Sequence, residues 1–176
     1  MRTIEAETTI DAPPESVWAV LTDFRSYPAW NPFITRVEGE PRPGKRFKVR
    51  VEPPGSRGMT FHPRALALDQ PEQFAWKGSL LVPNLFDGRH EFVLSPDDGR
   101  TRFVQRETFG GLLVPLLLDE ESVRRGFEAM NAALKLRVEE RDGKPEEASS
   151  DGSERDSADE AGEEPADGAV SGAGAV

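Results

Sequence analysis

Apolar and polar residues alternate over positions 3–10, with Ile4, Ala6, Thr8 and Ile10 on one side of the chain. A period of two sends successive side chains to opposite faces, so this segment reads as a half-buried strand. Pro13 and Pro14 follow, and proline suits a helix start because the first helical N–H groups have no intrahelical acceptor. Val17, Trp18, Leu21 and Phe24 then recur at helical spacing and predict a short amphipathic helix facing a sheet. Pro28 and Pro32 forbid a long continuation, so the helix is expected to break at Tyr27-Pro28. Trp30-Asn31-Pro32 is expected to open the next extended run.

Further strands are expected over 33–38 and around Phe47, Val49 and Val51, which alternate with Lys48 and Arg50. Others follow at 59–68, 73–81, 86–94 and 101–109, separated by Asp69-Gln70-Pro71 and by a turn over 96–99. Alternation punctuated by Gly and Pro predicts an antiparallel meander. The period then changes. Val123, Phe127, Met130, Leu134 and Val138 recur at intervals of four, three, four and four. They predict one helix of about twenty residues, opened by the acidic Asp119-Glu120-Glu121 and ending near Asp142-Gly143. A single apolar stripe packs one long helix against one concave sheet.

Composition divides the chain at about residue 145. Residues 1–145 carry 21 Lys and Arg against 22 Asp and Glu, whereas 146–176 carry 1 against 10. The folded part, 1–145, is thus nearly neutral, and most of the net charge of −10 belongs to the tail. That tail lacks the apolar surface needed to offset its ordering entropy and is expected to be disordered. It reads as a solubilising appendage, or as an acidic docking segment for a basic partner. Such a charge repels nucleic acid and anionic membranes, so neither partner is expected. There is no Cys, no apolar run approaches a membrane span, and residues 1–7 lack a signal-peptide core. A cytoplasmic location is expected.

Several segments together resemble a known family. They are Ala12-Pro-Pro-Glu-x-Val-Trp18, Trp30-Asn-Pro32, Phe74-Ala-Trp-Lys-Gly78, Gly88-Arg-His-Glu-Phe-Val-Leu94, Gln105-Arg-Glu-Thr-Phe-Gly110 and Phe127-Glu-Ala-Met-Asn-Ala-Ala-Leu134. Their order and spacing resemble the polyketide cyclase/dehydrase-like branch of the SRPBCC superfamily, which also includes START lipid-transfer domains and the birch-pollen allergens. The resemblance implies an α+β helix-grip fold: a curved antiparallel sheet of about six or seven strands wrapped around a long C-terminal helix, with a short broken helix after the first strand. It also implies a cavity for a hydrophobic small molecule, without fixing an activity, because one scaffold hosts many functions. A rigid empty hollow of about 300 Å³ would cost on the order of 7 kcal/mol. That rivals a typical domain stability of roughly 5–15 kcal/mol, so the hollow is expected to be filled or small.

The sharpest chemistry lies on the 86–109 hairpin. A turn centred on Pro96–Gly99 sets His90 opposite Gln105, Phe92 opposite Phe103 and Gly88 opposite Glu107. His90, Gln105 and Glu107 then look into the grip among apolar neighbours. His90 and Glu107 are candidates for an acid–base pair able to remove a proton next to a ligand carbonyl. The same pair fits polar ligand recognition, or hydrogen bonding to each other or to water. Candidate ligand-binding residues are Trp30, Phe33, Trp76, His90, Phe92, Gln105, Glu107, Phe109, Phe127, Met130, Asn131 and Leu134. His62 reads as a surface residue. Two distant histidines without Cys make a poor metal site, and neither metal nor other cofactor is expected. Leu112–Leu118 reads as an apolar plug, a mobile lid or a contact patch. Three functions are open: carriage of an apolar or aromatic molecule, a cyclase/dehydratase-type enzyme, or a protein-interaction module with a vestigial cavity. Oligomeric state is not readable.

Overall fold

The computed structural model describes residues 1–80 and 84–143. The acidic tail, 146–176, lies outside the described residues. Among the described residues, eight strands and four α-helices follow in the order β1 (Arg2–Ile10), α1 (Pro14–Leu21), α2 (Tyr27–Trp30), β2 (Ile34–Glu38), β3 (Lys48–Val51), β4 (Met59–Phe61), β5 (Arg64–Asp69), β6 (Gln73–Leu80), β7 (Phe86–Asp97), β8 (Arg100–Gly110), α3 (Val114–Leu117) and α4 (Glu120–Asp142). A five-stranded antiparallel sheet runs β1-β8-β7-β6-β5, and a three-stranded sheet runs β2-β3-β4. This is the expected helix-grip architecture.

Three local features differ from expectation. The run 59–68 is two strands rather than one, which raises the strand count to eight. It divides at His62-Pro63, where Pro63 has no N–H for a ladder. Trp30 ends a helical turn instead of opening a strand, because Pro28 falls in that turn's permissive first positions. The β7–β8 turn is the pair Asp98-Gly99, with φ of 47° and 80°. Both central residues therefore have positive φ, as a two-residue type I′ turn demands. The register moves by two from a turn centred on 96–99: His90 faces Glu107, Phe92 faces Gln105, Leu94 faces Phe103 and Gly88 faces Phe109. A shift of two leaves every side chain on its face.

α4 buries Phe127, Met130, Leu134 and Val138 against the five-stranded sheet. Asp119 caps it, its carboxylate accepting from Ser122 N at 3.0 Å. Arg124 and Lys135 donate to the carbonyls of Glu5 and Thr9 on the edge strand β1. Helix and edge are thus joined by polar contacts that also cover unpaired strand carbonyls. At the other edge, Ala65 of β5 exchanges backbone bonds with Gly44 and Lys45, which links the two sheets. His62 is exposed.

Candidate functional site

A cavity of about 130 Å³ lies between the two sheets and the N-terminal end of α4. The alternation of β6, β7 and β8 delivers Trp76, His90, Glu107 and Phe109 to its wall. Phe33 enters from the α2–β2 connection, where Asn31 Oδ1 accepts from the backbone N–H of Phe33 and Ile34. That clasp fixes the direction of the chain just before β2. The Phe33 ring then meets Phe127 edge-on, 5.3 Å between centroids.

His90 is held from every side. It is 2% exposed, and its ring stacks on Trp76 at 4.4 Å with only 5° between planes. Nδ1 lies 3.1 Å from Glu107 Oε2, and Nε2 lies 3.3 Å from Gln105 Nε2. When the Gln105 amide N–H donates to Nε2, a neutral imidazole carries its proton on Nδ1 and donates it to Glu107. Glu107 is more open, with 20% of its side chain exposed. Its Oε1 lies over Gly88, 2.3 Å from where a Cβ on residue 88 would stand. Both nitrogens of His90 are therefore engaged within the protein, and Glu107 is the member of the pair that can meet a ligand.

The other candidates divide between wall and core. Phe33, Trp76, His90, Glu107 and Phe109 line the cavity. Phe92, Gln105, Phe127, Met130, Asn131 and Leu134 are fully buried behind it. Trp30 faces elsewhere: its Nε1 donates to Ser26 Oγ and its ring packs edge-on against Tyr27. Gln105 Oε1 and both amide atoms of Asn131 are buried with no hydrogen-bond partner among the described residues. Such groups cost about 1–3 kcal/mol each if left dry. The hollow is smaller than 300 Å³ because these side chains fill the depth of the grip. The wall also uses residues not among the ligand-binding candidates expected from sequence, such as Val49, Val51, Phe61, Phe86 and Ser122. The alternation of Val49 and Val51 signalled an inward face, but not that this face meets a hollow. In 112–118, Val114 is buried, Leu117 and Leu118 border the cavity, and Leu112 and Leu116 are exposed. The segment thus has one anchor, a rim and an exposed surface.

Among the described residues no cluster of three or more His, Asp or Glu is arranged to hold a metal ion. No described helix is long and apolar enough to cross a membrane.

Solved structures similar to this chain share the fold. The Zhui aromatase/cyclase from Streptomyces sp. R1128 is 25% identical, with a TM-score of 0.61 over 80% of this chain and 94% of that one. TTHA0849 from Thermus thermophilus is 20% identical, with a TM-score of 0.63 over 80% and 99%. Ara h 8.0201 is 22% identical, with a TM-score of 0.59 over 78% and 97%. No curated protein matches the sequence. The family model described as polyketide cyclase / dehydrase and lipid transport matches residues 1–139. With the helix-grip fold and its lined hollow in place, that match over most of the sequence identifies the chain as a member of the polyketide cyclase/dehydrase and lipid transport family, within the SRPBCC superfamily.

Proposed function

We propose that the domain binds a small ring-containing apolar molecule in the cavity between Phe33, Trp76 and Phe109, and orients it by a hydrogen bond to Glu107. The observation that carries this reading is a His90–Glu107 pair set on the wall of an otherwise largely apolar hollow. A rigid, empty 130 Å³ would cost about 3 kcal/mol. An occupant that fills it recovers dispersion contacts along the aromatic wall. The similar Streptomyces protein is named as an aromatase/cyclase, which agrees with a ring-shaped ligand.

A second reading, proton transfer of the cyclase/dehydratase type, draws on the same pair. In it Glu107 takes the ligand proton, and His90 is the positioning residue that holds the carboxylate through Nδ1–H. This modifies the direct acid–base role expected for His90, whose ring nitrogens both have partners.

The experiment is native mass spectrometry of the full-length protein followed by titration with 2-naphthol. One bound ligand per chain is expected, with naphthol emission altered on binding. A protein that carries nothing and takes up no naphthol overturns the binding reading. Excited 2-naphthol also releases its proton to a neighbouring base. Naphtholate emission that disappears in Glu107→Gln supports proton transfer, and bound naphthol that emits only as the neutral form removes it.

A further inference from the structure

Among the described residues, no lysine or arginine lines the cavity. Its ionisable wall groups are Glu107, Asp119 and His90. With a neutral imidazole the lining carries −2, and with an imidazolium −1, so its sign is negative in both states. Glu107 sits beside the buried His90, bonded through Oε2, with Oε1 over Gly88. Asp119 stands on the exposed rim, held as the cap of α4. Phe33, Phe61, Trp76, Phe86 and Phe109 supply the aromatic surface.

Such a site attracts an organic cation in two ways. Ring faces attract it through their quadrupoles, and the carboxylates attract it by charge. An anionic ligand meets the opposite situation, with like charge in a partly dry site and no cationic side chain in the described wall to offset it. Size narrows the class further. A cavity of about 150 Å³ lined by apolar side chains holds benzene, so 130 Å³ takes one ring, with a polar arm, or the second ring of 2-naphthol, lying at the exposed rim beside Leu117 and Asp119.

We infer that the cavity selects a protonated amine on a single ring, of the benzylamine or phenethylamine type, over neutral and anionic molecules of the same shape. The ring lies among Trp76, Phe33 and Phe109, and the ammonium donates to Glu107. This inference rests on the ligand-binding reading above and names its ligand class.

Benzylamine, benzyl alcohol and benzoate, titrated calorimetrically into the full-length protein at neutral pH and low salt, separate charge selection from ring binding. Benzylamine is expected to bind about tenfold more tightly than benzyl alcohol, with benzoate weakest. Glu107→Gln should collapse the amine-to-alcohol ratio toward one while changing alcohol affinity less than about threefold. Asp119→Asn retains a capping side chain and should lower the ratio by about twofold, and added salt should lower it further. If Glu107→Gln does not fold, the wild-type ranking and Asp119→Asn still decide the matter. Benzyl alcohol that binds as well as benzylamine, or benzoate that matches it, overturns the charge selection alone. Failure of all three rings to bind overturns the ligand-binding reading along with it.

Discussion

Glu107 keeps its place beside His90 because residue 88 has no side chain. A Cβ there would lie 2.3 Å from Oε1, well inside contact distance, so Gly88→Ala must shift the flexible end of Glu107 and is expected to disturb its Oε2 contact with the imidazole. Losing a hydrogen bond to a charged group costs about 1.5–3 kcal/mol. Replacing a strand glycine returns roughly 0.5–1 kcal/mol. The net expectation is a loss of about 1–2 kcal/mol, read from a urea midpoint, together with altered imidazole nitrogen resonances for His90 and weakened 2-naphthol binding. Unchanged resonances and binding would show that the glycine slot does not govern the pair. Alternation placed His90, Gln105 and Glu107 on the inner face from sequence alone. The pairing needed the turn type, and Asp98-Gly99 was not separated from the longer 96–99 turn. The role of Gly88 was illegible because it is a diagonal contact made by the absence of a side chain.

Elements come into tight contact where the start of β2 approaches α4. A Cβ on Gly126 would stand 2.2 Å from Phe33 Cδ2, so the helix can lie this near only with glycine at that position. Gly126→Ala sets two effects against each other. Helix propensity gains up to about 1 kcal/mol, and overpacking costs about 1–3 kcal/mol. Overpacking should win by about 1 kcal/mol. Phe33 borders the cavity, so its displacement should also weaken naphthol binding, and thermal melts with a parallel titration read both. A Gly126→Ala protein that is more stable than wild type with affinity intact would mean the ring relaxes freely. The helix itself was legible, because Phe127, Met130, Leu134 and Val138 keep the helical period over several turns. Gly126 alone reads as a weak point, since the neighbour that requires it is distant in sequence. The segment 112–118 was legible only as an apolar run. A helical turn of four residues, Val114–Leu117, is too short for periodicity to separate buried Val114 from exposed Leu116.

At the scale of the whole domain, the grip is solid at depth and hollow toward the N-terminal end of α4. Phe74, Phe92, Phe103 and Phe127 are all almost fully buried, and they close most of the space that the fold leaves. The outer seam of this core is sealed by Tyr27, the single tyrosine of the chain. It is 1% exposed, and its hydroxyl donates to the Leu21 carbonyl at 2.6 Å. Burial, helped by the nearby Asp23 charge, pushes the phenol far above its ordinary range. The consequence for stability has a definite sign. Below about pH 10, the pKa of an unfolded tyrosine, the phenol is neutral in both states and its burial contributes in full. Above that value the unfolded chain gains a phenolate that the fold excludes, so stability falls as pH rises. Because the chain has no other tyrosine, the phenolate ultraviolet band reports this one group. On alkaline titration it is expected to appear together with the loss of far-ultraviolet circular dichroism, in one transition. Tyr27→Phe should move that transition to higher pH, even though the unpaired Leu21 carbonyl costs about 1 kcal/mol at neutral pH. A phenolate band with an ordinary midpoint near pH 10 in a chain that still shows native dichroism would mean the seam opens without unfolding.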